Sequence, residues 1–146
     1  MLWLAVLAVA ADRLTKYWSL SLDGATPFIP GVLRFQPLRN FGAAFGIFSG
    51  NSTFLNALVI ALCVAVLLAI LFYPRMTRLG SAGLWLVLAG GVSNLYDRLR
   101  FGYVIDFLEF EFMRFPVFNL ADVCVVVGCA LTFIALLRSE GGRARG

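Results

Sequence analysis

The sequence predicts an all-α integral membrane protein with four transmembrane helices, a small β-containing outer subdomain and an interfacial helix. Hydrophobic residues make up 61% of the 146 residues, and charged residues make up only 14%. A soluble domain contains about 45–50% apolar and about 25% charged residues. Four segments are apolar enough to cross a bilayer, which takes about 20 residues per helix. We therefore expect a single membrane domain over residues 1–146.

The four predicted spans cover residues 1–20, 53–73, 79–96 and 120–137. The second is the clearest, because Asn56 is its only strongly polar side chain. The third is rich in Gly, Ala and Ser, which let membrane helices approach closely. The first is the most polar, since Asp12, Arg13 and Lys16 occupy its second half.

Basic residues predict the orientation of the spans. The link "PRMTR" carries Arg75 and Arg78 without an acidic residue, and the C-terminal tail carries three arginines against Glu140. By the positive-inside rule both segments face the cytoplasm. Both termini are then cytoplasmic, and the connections over about 21–52 and 98–119 lie on the outer side.

Both outer connections carry patterns of folded structure. In "TPFIPGVLRFQPLRN" apolar and polar residues alternate among three prolines, which predicts a short edge strand and a turn. "FLEFEFMRF" predicts a strand with one apolar face and with Glu109 and Glu111 on a solvated face. The interfacial helix is predicted from phenylalanines at helical spacing, namely Phe41, Phe45 and Phe48.

Composition excludes several kinds of chemistry. The chain has no histidine, which excludes Ser–His and Cys–His nucleophile pairs and zinc sites built on histidine. Cys63, Cys124 and Cys129 lie in apolar runs without C-x-x-C spacing, so we interpret them as core residues. The net charge is +4, but no basic run has interleaved polar residues, so no nucleic-acid partner is expected.

Polar residues collect at the outer end of the predicted bundle. Ionisable groups within membrane helices are rare and usually face the bundle interior or a cavity. One polar pocket at the outer boundary is therefore expected. Its members are Asp12 and Lys16 of the first span, Asn40 of the first outer connection, Asn94, Asp97 and Arg98 of the third span, Asp106 of the second outer connection, and Asn119 and Asp122 at the fourth span.

Most of these residues also have structural interpretations. Asp12 and Lys16 are in the favourable order for an ion pair four residues apart. Asn94 and Arg98 can tie the end of the third helix to a loop, and Asp97 can pair with the neighbouring Arg98 or Arg100 as boundary charges.

The two remaining aspartates differ in their surroundings. "NLAD" places Asn119 at an N-cap and Asp122 at the third helical position, which resembles a capping box and suits the helix dipole. Asp106 lies within the apolar "YVIDF", and a carboxylate in such surroundings has a raised pKa.

The residues leave two catalytic arrangements open. Two aspartates that share a site do not both ionise easily, so one can keep a proton while the other activates water. The alternative is a Ser–Lys dyad, in which Lys16 would activate Ser19, Ser21 or Ser93. Asp12, one turn away, argues against the dyad because it holds Lys16 protonated.

Two further classes are less favoured. Asp97, Asp106 and Asp122 could bind Mg²⁺ for phosphoryl transfer, but no D-x-x-D cluster gathers them. A transporter should carry polar residues near the middle of the bilayer, and apart from Asn56 and the polar half of the first span these are missing.

Four motifs in order resemble those of the lipoprotein signal peptidases, the signal peptidase II family. They are "DRLTK", "RNFGAAFG", "SNLYDRLRFGYVIDF" and "FNLAD", and together they cover nearly the whole chain. They are similar to the family patterns D-x-x-x-K, N-x-G-x-[AS]-[FW]-[GS], N-[LI]-x-D-R-x-x-x-G-x-V-x-D-[FY] and F-N-x-A-D. The departures are small: Ser93 stands where the family often has Gly, and the pair Gly90–Gly91 lies one position later than expected.

The resemblance implies an aspartic endopeptidase of the bacterial cytoplasmic (inner) membrane, with its active site near the outer face. Such enzymes remove the signal peptide from diacylglyceryl-modified prolipoproteins, cutting before the lipidated cysteine. It implies no metal or organic cofactor, and its partners would be the lipid-modified substrate and membrane lipid, with the enzyme a monomer. Asp106 and Asp122 match the catalytic pair. The matching supporting positions are Asp12, Lys16, Asn40, Gly42, Asn94, Asp97, Arg98 and Asn119.

Overall fold

The structure is a computed structural model that describes residues 1–42, 52–73 and 76–143, with side chains described to 139. The described residues contain four helices and three strands. The helices are α1 (Leu2–Ser19), α2 (Ser52–Phe72), α3 (Arg78–Phe101) and α4 (Leu120–Arg143). The strands are β1 (Thr26–Ile29), β2 (Leu33–Asn40) and β3 (Val104–Phe110). The predicted combination of helices with a small β subdomain is confirmed. Most of the predicted interfacial helix, including Phe45 and Phe48, and Arg75 of the basic link lie outside the described residues.

Three of the described helices are long and apolar enough to cross a membrane: α2, α3 and the part of α4 over Leu120–Ser139. The 18 residues of α1 do not join them, because Asp12, Arg13 and Lys16 lie within the helix. Helix α3 continues beyond the predicted end of its span at 96 and reaches Phe101. Gly102, with a φ of 80°, caps it in the left-handed conformation and lets the chain turn into β3.

Helix α3 is the centre of the bundle and contacts each of the other three helices. Its approach to α4 depends on glycine. A Cβ atom on Gly83 would lie 2.6 Å from the carbonyl oxygen of Gly128, and one on Gly128 would lie 2.5 Å from that of Gly83. The predicted role of small residues in the third helix is therefore confirmed at this crossing.

The three strands form an antiparallel sheet in the order β1-β2-β3. The predicted edge strand and turn are confirmed: β1 and β2 form a hairpin, and Gly31 has a φ of 75° in its turn. The β2–β3 pairing is irregular between Phe35 and Leu38, where Pro37 cannot donate a ladder hydrogen bond. The third strand runs from Val104 to Phe110, so it starts three residues before the predicted segment "FLEFEFMRF". Because it follows α3 and crosses the end of the bundle, it places Asp106 there.

The sequence predicts that Glu109 and Glu111 form a solvated strand face, but both side chains have specific partners. Glu109 accepts a hydrogen bond of 2.8 Å from Nε of Arg34 on the neighbouring strand. Glu111 lies beyond the strand end and accepts a hydrogen bond of 2.6 Å from the backbone N–H of Gly31. Both glutamates therefore tie β3 and its following loop to the β1–β2 hairpin.

The α3–α4 crossing generates a stability prediction. Gly83→Ala should lower the free energy of unfolding by about 1–3 kcal/mol, because its Cβ would meet backbone atoms of α4 that cannot move without separating the helices. Thermal melting in detergent measures the change. Ala130→Leu is the control, since Ala130 is exposed on α4. A Gly83→Ala melt equal to that of the wild type would contradict the close crossing.

Candidate active site

The predicted polar pocket exists at the end of the bundle that the β3 strand crosses. The structure brings all ten predicted residues together there. Among the described residues, eight polar or charged side chains are buried at this end: Asp12, Lys16, Ser19, Ser93, Asn94, Asp97, Asp106 and Asn119. Buried polar groups of this kind are tolerated when they have hydrogen-bond partners.

Asp106 lies on β3 and accepts two hydrogen bonds from amide side chains. Nδ2 of Asn119 donates to Oδ1 at 2.6 Å, and Nδ2 of Asn40 donates to Oδ2 at 2.8 Å. The side chain is almost completely buried, with 1% of the residue exposed. Burial raises the pKa of Asp106 to about 6, and the negative charge of Asp122 adds to this, while the two amides act against it. The raised pKa expected from the sequence is confirmed.

Asp122 lies in the first turn of α4 and forms the predicted capping box. The backbone N–H of Asn119 donates to Oδ2 of Asp122 at 3.1 Å, and the backbone N–H of Asp122 donates to Oδ1 of Asn119 at 2.9 Å. The carboxylate also accepts a hydrogen bond that capping does not need: Nδ2 of Asn94 donates to Oδ1 at 2.8 Å. The helix start therefore holds the carboxylate in place, while α3 directs its other oxygen.

Two asparagines join the two aspartates. Nδ2 of Asn119 donates both to Asp106 and, at 3.1 Å, to Oδ1 of Asn94. Asn94 in turn donates to Asp122. Nζ of Lys16 donates to Oδ1 of Asn94 at 2.8 Å, which fixes which end of the amide faces the carboxylate. Asn94 therefore connects α3 with Asn119 in the loop before α4, as one interpretation of the sequence proposed, and it also contacts Asp122 and Lys16.

Behind the asparagines lies a cluster of four charged side chains from α1 and α3. Lys16 lies 3.0 Å from Oδ2 of Asp12 and 2.8 Å from Oδ2 of Asp97. Arg13 lies 2.7 Å from Oδ2 of Asp12 and also pairs with Oδ1 of Asp97. The predicted ion pair between Asp12 and Lys16 is confirmed.

The prediction that Asp97 pairs with Arg98 or Arg100 is wrong. Those arginines follow Asp97 on the same helix, whereas its carboxylate faces the basic groups of α1. Arg98 instead donates from Nη2 to the backbone carbonyl of Gly42 at 3.1 Å. The suggestion that Arg98 ties the end of α3 to a loop is therefore confirmed.

Sequence reasoning missed Arg13 as a member of the site. The only sequence signal for Arg13 was its position next to Asp12 in the polar second half of the first helix. Its partner Asp97 is 84 positions away, so local spacing could not reveal the pair.

The geometry disfavours a Ser–Lys dyad. The amino group of Lys16 lies against two carboxylates and one amide oxygen, not against a serine hydroxyl. Ser93 donates to Oδ2 of Asp12 at 2.7 Å, and Ser19 donates to the backbone carbonyl of Lys16 at 2.8 Å. The described part of the chain also holds no group of three or more His, Cys, Asp or Glu residues arranged to bind a metal ion.

Two cavities meet at Asp122, Asn94 and Arg98. The first has a volume of about 290 Å³ and contains both Asp106 and Asp122. Its remaining walls include the apolar loop over residues 115–118. The second has a volume of about 280 Å³ and is a largely apolar groove. The groove is lined by Leu55, Val59, Leu62, Cys63 and Val66 of α2, by Val87 and Gly91 of α3 and by Val125 of α4.

The chain is similar in sequence to bacterial lipoprotein signal peptidases and similar in fold to solved bacterial membrane enzymes. The family model described as "Signal peptidase (SPase) II" matches residues 4–138. The lipoprotein signal peptidase of Gloeobacter violaceus is 40% identical over 142 residues, covering 94% of this chain and 82% of the relative. That of Enterococcus faecalis is 36% identical over 146 residues, covering 98% and 91%.

A solved structure has the same fold. It is a bacterial membrane enzyme determined by the in meso method at 2.3 Å resolution, with a TM-score of 0.85 and 31% identity. The match covers 95% of this chain and 88% of the other. A second bacterial membrane enzyme, at 1.9 Å resolution, has a TM-score of 0.79 and 32% identity, with 92% and 90% covered.

The burial of Asp106 predicts how the free energy of unfolding depends on pH. The pKa of Asp106 in the folded state, about 6, lies above its ordinary value of 3.8, so the folded state holds this proton more tightly than the unfolded state does. The free energy of unfolding should therefore fall as pH rises from about 4 to 6, by roughly 3 kcal/mol from this group.

Thermal melts in detergent between pH 4 and 7 measure the effect. Asp106→Asn should flatten the decline, because the amide stays neutral throughout. Asp23→Asn is the matched control, since Asp23 is exposed in the α1–β1 connection. A decline in Asp106→Asn as steep as in the wild type would show that Asp106 is not its source.

Proposed function

The chain belongs to the signal peptidase II family, and from this premise we propose that it removes signal peptides from diacylglyceryl-modified prolipoproteins. It cuts immediately before the lipidated cysteine as an aspartic endopeptidase, with Asp106 and Asp122 as the catalytic pair. The observation that carries this proposal is that the two carboxylates line one cavity and are joined through Asn94 and Asn119.

Hydrolysis proceeds by general acid–base catalysis without a covalent intermediate. The pair starts with one shared proton and titrates as a unit. The ionised aspartate takes a proton from water as the water oxygen attacks the scissile carbonyl carbon, and the protonated aspartate gives its proton to the carbonyl oxygen. As the C–N bond breaks, the aspartate that took a proton from water gives that proton to the leaving nitrogen. The other aspartate takes a proton from a hydroxyl of the tetrahedral gem-diol, which becomes the new carboxyl group, so the pair returns to its starting state with one proton. Asn40, Asn94 and Asn119 hold the carboxylates in place for both steps.

The substrate fits the junction of the two cavities. A lipidated signal peptide has a long apolar part in the bilayer and a peptide bond to be cut at its end. The apolar groove along α2, α3 and α4 accepts the apolar part, and the cavity with the acid pair accepts the peptide. Entry is sideways from the bilayer, because the groove is lined by membrane-spanning helices.

Helix α1 is the fourth span in this proposal, although it carries three charged residues. Asp12 and Lys16 are buried against the rest of the bundle and neutralised there, which is how charges are tolerated within membrane helices. The surface that α1 leaves exposed is largely apolar and includes Leu2, Trp3, Val6, Leu7 and Leu14. With four spans in the inner membrane, both termini are cytoplasmic, the active site lies near the outer face, and the enzyme works as a monomer.

Cleavage of a diacylglyceryl-modified prolipoprotein by purified wild type, Asp106→Asn and Asp122→Asn tests the proposal. Each variant should lose about 10³-fold or more in kcat, since general acid–base catalysis contributes about 10²–10⁴. Asp23→Asn, an exposed aspartate away from both cavities, should cut at the wild-type rate.

Thermal melts separate lost chemistry from lost folding in these variants. If folded Asp122→Asn still cuts at the wild-type rate, Asp122 is only a helix cap and the acid pair is wrong. Cleavage by folded Asp106→Asn would contradict the proposal in the same way, since no second carboxylate would then be needed.

A further inference from the structure

The charged cluster beside the acid pair holds the backbone next to each aspartate. Oδ1 of Asp12 accepts a hydrogen bond of 2.9 Å from the N–H of Ala121, the residue before Asp122. Oδ2 of Asp97 accepts one of 3.3 Å from the N–H of Ile105, the residue before Asp106. Each carboxylate of the cluster therefore anchors the chain immediately before one member of the acid pair.

Arg13 is the member of this cluster that balances its charge. Asp12 and Asp97 carry two negative charges, and Lys16 alone supplies one positive charge. The Arg13 guanidinium supplies the second, through contacts with one oxygen of each carboxylate. It is mostly buried, with 17% of its side chain exposed, and is also held 3.3 Å from the carbonyl oxygen of Ser93 and 5.2 Å from the ring centre of Tyr96.

The contacts of Arg13 also determine which acceptors the amino group of Lys16 contacts. An ammonium group has three donors, and Lys16 uses them on Asp12, Asp97 and Oδ1 of Asn94. Because Arg13 occupies Oδ1 of Asp97, Lys16 has to serve only the other oxygen. Its third donor stays on Asn94, which can then direct its own N–H to Asp122.

We infer that Arg13 is a positioning residue for the reaction, which keeps the cluster behind the acid pair at zero net charge and the backbone anchors of both aspartates in place. Arg13 is not among the described residues that line either cavity, so it acts through the cluster and not on the substrate. The inference rests on the proposed function, because it assigns Arg13 a part in that reaction.

Removing the Arg13 charge would leave the cluster with one net negative charge, close to the acid pair. A nearby negative charge makes a carboxylic acid harder to ionise, so the pair would release its protons at higher pH. The other groups that face the pair do not compensate. They are Arg98 of α3 and Cys63 of α2, which line the cavities, and neither changes its charge when Arg13 is replaced. Cys124 of α4 lies near Asp12, and Arg39, next to Asn40 on β2, lies over the ring of Tyr103.

The test compares pH profiles of kcat for wild type, Arg13→Gln and Arg13→Lys on the same lipidated substrate. In Arg13→Gln both the acidic and the basic limb of the profile should move to higher pH by about 0.5–1 unit, as expected for the loss of one nearby positive charge in a medium of intermediate dielectric constant. Arg13→Lys keeps the charge with fewer hydrogen bonds, so its limbs should stay within about 0.2 unit of wild type. Thermal melts should show both variants destabilised.

A merely structural role for Arg13 would lower the melting temperature of both variants and leave both pH profiles in place, and that result would overturn the inference. If Arg13→Gln does not fold, Asp97→Asn replaces it. That variant makes the cluster one charge more positive, so its limbs should move to lower pH, and unmoved limbs would again overturn the inference. Failure of the proposed function is distinguishable, because wild type would then not cut the substrate at any pH.

Discussion

The structure depends on a buried, electrically neutral cluster of four side chains, Asp12, Arg13, Lys16 and Asp97, which joins α1 to α3. Burying unpaired charges costs several kcal/mol per ion, so each member requires the others. Every carboxylate oxygen of the cluster has a donor, and two of those donors are the N–H groups of Ile105 and Ala121. The cluster therefore sets the position of β3 and of the start of α4 relative to the bundle.

Rigid support of this kind matters because the two aspartates come from different elements. Asp106 lies on a strand that is held against the bundle end, and Asp122 lies in the first turn of a helix. Capping fixes Asp122 locally, and the contacts of Asn94 and Asn119 connect its carboxylate directly with that of Asp106. Near the site, α3 and α4 approach closely at Gly90, where a Cβ atom would collide with the carbonyl oxygen of Ala121, and Asn94 on the next turn of α3 reaches Asp122. Helix packing and acid-pair geometry are thus parts of one arrangement, which fits the requirement of acid–base catalysis for groups held on rigid elements.

Features encoded by local spacing were predictable from the sequence, and long-range pairings were not. The ion pair of Asp12 with Lys16 and the capping box of Asp122 with Asn119 follow from separations of four and three residues. The partners of Asp97 depend on how α1 packs against α3, and no local pattern specifies that contact. The pattern of "FLEFEFMRF" predicted a strand but not its early start, because pairing with β2 determines where β3 begins.

The central claim is that Asp106 and Asp122 act as one catalytic unit, and a double-variant cycle on kcat tests it most directly. Groups that act as a unit have strongly non-additive effects, because removing either one already abolishes the shared step. The account predicts that Asp106→Asn/Asp122→Asn retains a kcat within a few-fold of either folded single variant. A double variant whose loss equals the product of the two single losses would contradict it and show that the two aspartates act independently.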